Sequence, residues 1–238
     1  MKRIILFLIV IAFSFSANAL KVDTMFLLSD TKGNGVVTVT NDLPKNSFIK
    51  TSIFEITTDN AGEVIRTEYT KQNIQSWQIM TTSPKLILEP SRVKDVGIRS
   101  LCHKVKCDKT KDRTFSIVFE PSPYLKKGEE QENAVQVNYG YSVIYVVPAE
   151  KSDMQYSIKR NGSVIEIFNK GNTMLTFVID RCSMDKTMDC RVQERVIAGR
   201  FRTFNIPEYM KAIKVNASIY NHDESYKREI ALEPESQL

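Results

Sequence analysis

From residue 22 onward the apolar positions recur with a period of two, and turn residues break them into short segments. Val22 to Leu28, Val36 to Thr40, Ser47 to Thr57, Lys85 to Leu88, Val93 to Leu101 and Arg113 to Glu120 each read as a strand. The turn signal Lys32-Gly33-Asn34-Gly35 predicts a hairpin between the first two. The longest alternation is the run from Val135 to Val147. Its residues Val135, Val137, Tyr139 and Tyr141 point to one face and Gln136, Asn138, Gly140 and Ser142 to the other, until Pro148 ends the pattern. Strands of about five or six residues are usual, so this one is long enough to serve two cores. Periodicity alone leaves two readings of its apolar face open: the domain's own packing, or a loan to a partner.

Beyond Pro148 the pattern restarts. Gln155 to Arg160, Val164 to Phe168, Met174 to Asp180, Arg191 to Ala198, Phe201 to Phe204, Ile213 to Tyr220 and Tyr226 to Leu232 are further strands, with turns at Asn161-Gly162 and Lys170-Gly171-Asn172. About seven strands on each side, without a long helical period, predict an all-β chain of two sandwiches joined near Pro148. Residues 63–80 carry no clear pattern, and Trp77 near their end is expected in a core.

The start of the chain sets the compartment. Lys2 and Arg3, an apolar run from Ile4 to Phe15, and Ala17-Asn18-Ala19 have the order of a secretory signal peptide. The run is shorter than the roughly 20 residues that span a bilayer. The expected organisation is therefore a signal over residues 1–19, a first domain over 20–148 and a second over 149–238. The formal charge of +5 over the 238 residues falls to about +3 without Lys2 and Arg3, and no basic run is present, which argues against nucleic acid.

Export also decides how the four cysteines read. Cys102 with Cys107 and Cys182 with Cys190 are spaced as two local disulfide loops, each contributing roughly 2–3 kcal/mol. A metal site on Cys102, His103 and Cys107 is disfavoured, because adjacent strand residues point to opposite faces. His103 and His222 are the only histidines, and no nucleophile elbow, metalloprotease helix or glycine fingerprint occurs. Neither an enzyme nor a cofactor is expected.

Three stretches together resemble the periplasmic chaperones of the bacterial chaperone–usher pathway, in the alternate branch that serves the common pilus and colonisation-factor fimbriae. They are Ser83-Pro84-Lys85-Leu86-Ile87-Leu88-Glu89-Pro90 with Gly97-Ile98-Arg99-Ser100-Leu101; Phe115 to Glu120 with the long strand ending at Pro148; and Asn161 to Asn172 followed by the Cys182–Cys190 loop. The resemblance implies a boomerang of two immunoglobulin-like domains, without catalytic activity. Its partners would be fimbrial subunits and an outer-membrane usher, and its empty form would be open to self-association. It implies that Val135, Val137, Tyr139 and Tyr141 complete the unfinished sandwich of a subunit, while Val143, Tyr145 and Val147 pack at home. It also implies a basic anchor for the subunit's terminal carboxylate, with Arg99 first and Lys21 and Arg113 behind it. The better-known branch carries a lysine on the long strand; here no Lys or Arg lies between Ala134 and Pro148. The competing function is an exported two-domain adhesin or fimbrial subunit.

Overall fold

The computed structural model describes residues 19–124, 139–183 and 189–237. Residues up to the proline form two facing sheets. One has the order β1 (Leu20–Val22), β3 (Gly35–Asn41), β8 (Val93–Ser100), β6 (Ile79–Thr81). The other runs β2 (Phe26–Leu28), β10 (Tyr141–Val147), β9 (Arg113–Pro123), β4 (Ser47–Thr58), β5 (Val64–Glu68), with β7 (Lys85–Leu88) on the other end of β4. Alternation decides the packing. Val37, Val39, Val96 and Ile98 from the first sheet meet Ile49, Phe115, Ile117, Phe119, Val143 and Tyr145 from the second, all fully buried.

One expected strand is two. Residues 22–28 break at Asp23-Thr24-Met25, so that β1 pairs with β3 and β2 pairs with β10 in the opposite sheet. The expected hairpin at Lys32–Gly35 does not form: that turn joins β2 to β3 in opposite sheets, and it is β1 that pairs with β3. Local side chains compete with the ladder at the break: the Asp23 carboxylate accepts the Thr38 N–H at 3.0 Å, and Thr24 Oγ1 accepts from Phe26 N–H and donates to Phe26 O. The unpatterned 63–80 segment contains β5, whose residues are all exposed, and a 3-10 turn at Lys71–Ser76. Trp77 is half-buried and stacks on Tyr69 at 5.5 Å.

Beyond the proline, β15 (Phe201–Asn205), β12 (Val164–Asn169), β11 (Tyr156–Asn161) and β18 (Glu235–Gln237) form one sheet. β14 (Arg191–Val196), β13 (Leu175–Asp180), β16 (Val215–Tyr220) and β17 (Lys227–Leu232) form the other. Ile158, Ile165, Ile167, Phe177, Ile179 and Ile219 fill the core between them. Arg160 is buried at 1% exposure beside this core and spends its guanidinium on the carbonyls of Gly162, Met210, Lys211, Ile213 and Leu232. It ties one end of the sandwich together, because a buried cation must have its donors satisfied. Both cysteine pairs are bonded, Cys102 to Cys107 and Cys182 to Cys190.

The two halves are coupled at the proline. Asp112 at the foot of β9 accepts the Ala149 N–H at 2.8 Å, the Thr173 hydroxyl at 3.0 Å and the Met174 N–H at 2.7 Å. On the other flank the β4–β5 turn meets the second half, with Phe201 N–H donating to Gly62 O at 2.9 Å. Gly62 has φ of 83°, and a Cβ there would lie 2.6 Å from the Phe201 nitrogen, so only glycine fits this junction.

Burial raises the pKa of Tyr69 and Tyr145, and that of Tyr156 to about 12. Tyrosines in the unfolded chain titrate near 10. The native state therefore holds its full advantage below about pH 10 and loses it as the pH climbs through the folded values. The thermal midpoint should be flat between about pH 7 and 9 and fall above about 10, in step with tyrosinate absorbance. Tyr145→Phe removes a buried hydroxyl that donates to Gly33 O at 2.9 Å. It should cost about 1 kcal/mol in denaturant unfolding.

Candidate functional site

Strand β10 is asymmetric in its partners. On one side β9 accompanies it over the full length, Tyr141 opposite Phe119 through Val147 opposite Arg113. On the other side β2 covers only Ile144 to Val146, in parallel. The last tie on that side is Ile144 N–H to Met25 O at 3.0 Å. N-terminal to it, no strand among the described residues pairs with the outer edge of Tyr139–Val143. Gly140 lets the chain lie close against β9 here, since a Cβ would sit 3.0 Å from Phe119 O.

Side chains change character along the same line. Val143, Tyr145 and Val147 are buried in the first core. Tyr141 is half-buried and packs against that core, and Tyr139 is 73% exposed. The inward row thus leaves the sandwich as it passes from residue 143 to 139. Val135 and Val137 lie outside the described residues.

The three basic residues named as anchors do not come together. Arg99 is exposed on β8, in the sheet opposite the open edge. Lys21, on β1 at the end of the facing sheet, forms an ion pair with Asp42, which raises its pKa, with a smaller contribution from Tyr141. Arg113 is half-buried, with Nη1 directed at Gln78 Oε1 and the Cys102 sulfur, and desolvation lowers its pKa.

The structure brings forward two other cations. One cross-strand row on the outer face of the second sheet runs Phe26, Ile144, Ser116, Phe54, Glu68. Arg66 lies over the Phe54 ring at 4.8 Å and donates to Ser116 Oγ, which is bonded in turn to Ser142 Oγ. Arg195, from β14 of the second half, lies over the Phe26 ring at 4.4 Å. Neighbouring strands are about 4.8 Å apart, so the two rings that carry the guanidiniums lie about 14 Å apart, with half-buried Ile144 and Ser116 between them in the row. Guanidinium forks suit a carboxylate, and stacking on rings holds their planes in place. No pattern in the sequence announces this pair: Arg66 sits in a strand without alternation, and Arg195 is 129 positions away.

Residues 22–148, more than half of the chain, match the CS5 fimbrial protein N-terminal domain family. The chain belongs to this family. Solved structures resemble the CS5-family chain over nearly its whole length. The class 5 fimbriae chaperone CfaA is 15% identical, with 90% of this chain and 97% of that one covered and a TM-score of 0.54. CsuC–CsuE, the chaperone–tip adhesion subunit pre-assembly complex of archaic Csu pili from Acinetobacter baumannii, gives 11%, 90%, 97% and 0.56 in the same order. The Salmonella enterica SafA pilin complex with the SafB chaperone gives 10%, 92%, 99% and 0.55. At these identities the likeness concerns the fold, two β-sandwiches in one chain. No curated protein matches this CS5-family chain.

Proposed function

We propose that this CS5-family protein is a periplasmic, non-enzymatic chaperone that caps fimbrial subunits by strand donation and delivers them to an outer-membrane usher. One observation carries the reading: β10 is locked on both sides near the proline, yet one edge lies open from Tyr139 to Val143, where the apolar row emerges from its own core. An incoming strand can complete the ladder through main-chain bonds, while alternate side chains enter the partner's pockets. Donor-strand complementation is a standing example of this recognition mode. Each apolar side chain fully buried contributes roughly 1.5–3 kcal/mol before ordering costs. Val135, Val137, Tyr139 and Tyr141 are the proposed donors. An open edge of this kind also invites self-pairing when empty. The periplasmic assignment rests on the signal-like start, and among the described residues no helix is long and apolar enough to cross a membrane. Residues 20–148 and 149–238 are the two proposed domains.

An adhesin or subunit role fits less well, since a subunit lacks its closing strand and both cores here are filled by their own strands. Tagged protein drawn from the periplasm should bring a fimbrial subunit in a one-to-one complex. Recovery of the chain alone from cells assembling fimbriae would overturn the proposal.

For the subunit's terminal carboxylate, the outer-face geometry favours Arg66 and Arg195 over Arg99, Lys21 and Arg113. Arg66→Ala should weaken subunit capture about tenfold without changing the melting temperature. Arg99→Ala and Arg113→Ala should leave capture within about twofold, measured on folded protein. Loss of capture in the Arg99 variant alone would return the anchor to β8.

A further inference from the structure

The second sandwich has a gap that the capping function does not use. β18 covers β11 only from Lys159 to Asn161. The outward edge of Tyr156 and Ser157 is left without a strand among the described residues, and β17 is the terminal strand of the facing sheet on the same side. Between the two edges lies a cavity of about 430 Å³, walled by Met154, Tyr156, Tyr226 and Ile230 and rimmed by Lys170 and Arg228. This is the size range of pockets that hold small ligands or the side chains of a bound peptide.

Three features of the cavity point the same way. Its floor is apolar and aromatic, with the Tyr156 and Tyr226 rings edge to face at 6.3 Å. The two tyrosine hydroxyls are bonded to each other at 3.0 Å at the cavity wall, so one hydroxyl hydrogen there is left to donate. Neither Lys170 nor Arg228 has a carboxylate partner among the described residues; Lys170 stands 5.8 Å from the Phe168 ring, and Arg228 lies beside Tyr156. Asp153, next to the lining residue Met154, is engaged by the Gln155 amide at 2.8 Å.

We infer that this seam is a second docking site, which takes an extended acidic segment of another protein as an added strand. The segment would continue the line of β18 along β11, bond its main chain to the outward edge at Tyr156–Ser157, seat alternate apolar side chains on Tyr156, Tyr226 and Ile230, and set carboxylates against Lys170 and Arg228. The ladder supplies affinity for any extended chain and the two cations select an acidic one. The site is separate from the β10 edge, so the inference stands independently of the capping function.

The probe is a fluorescein-labelled hexapeptide alternating Glu and Val, with a Lys-Val hexapeptide as control, added to the full-length exported protein. The Glu-Val peptide should bind by anisotropy and shift the backbone amide resonances of Tyr156 and Ser157, whereas the Lys-Val peptide should not. Lys170→Glu with Arg228→Glu should weaken binding at least tenfold while subunit capture stays at the wild-type level. Both side chains are exposed, so the double variant should fold. If it does not, Lys170→Gln with Arg228→Gln replaces it, with a loss of about threefold expected. Absence of Glu-Val binding, equal affinity for the variant, or shifts confined to Tyr141–Val143 would each overturn the inference.

Discussion

Replacing Val137 and Tyr139 together by aspartate should abolish co-purification with a fimbrial subunit and leave the protein folded. Tyr139 is 73% exposed in the free chain, so its removal takes nothing from the first core. In the complex both positions would lie in the partner's groove. Losing two buried apolar side chains removes roughly 3–6 kcal/mol, and each aspartate adds the cost of burying a carboxylate. Even after discounting for relaxation, the dissociation constant should rise at least about a hundredfold. The check is subunit recovery on tagged variant, alongside circular dichroism of the free protein. Val143→Asp is the contrasting control: Val143 is fully buried at home, and that variant should unfold the first sandwich. Subunit recovered at the wild-type level by the double variant would show that the donor strand is wrongly placed.

Asp112→Ala should be the most damaging single change at the junction. Asp112 is 7% exposed and its carboxylate receives three donors, two from the backbone at Ala149 and Met174 and one from the Thr173 hydroxyl. A hydrogen bond to a charged acceptor contributes roughly 1.5–3 kcal/mol, and stranded buried donors lose it in full. Water admitted into the junction recovers part, so the expected loss is about 3–5 kcal/mol. For a chain of this size that corresponds to a fall in melting temperature of about 10 °C. Calorimetry should also show the two sandwiches melting apart, because the same side chain joins β9 to the β12–β13 turn across the proline. Subunit capture should fall with it, since Arg195 reaches Phe26 only while the halves keep their relative placement. A melting temperature unchanged within about 2 °C would remove Asp112 from the junction.

These two experiments probe different kinds of information. An unbroken alternation is written locally, residue by residue, so β7, β8 and β9 were legible within a few positions, whereas β10 begins at Tyr141, six positions after the expected Val135, with residues 135–138 outside the described ones. The disulfides were legible for the same reason: each closes a short loop, so spacing nearly decides the pairing. The division of residues 22–28 between two sheets was not legible, since alternation is blind to which sheet a strand joins. There a single aspartate and a single threonine redirect the chain.

The amino-acid sequence by itself determined the periodicity, and with it an all-β chain, two sandwiches, two disulfide loops and a long alternating run ahead of Pro148. Only the tertiary structure decided which part of that strand stays open and which cations stand beside it. Openness depends on how far β2 reaches along β10, and the arginine pair on a row assembled from β2, β10, β9, β4 and β5 with a side chain from the second half. Pairing of distant segments is set by the summed burial of the whole core, which no local pattern contains.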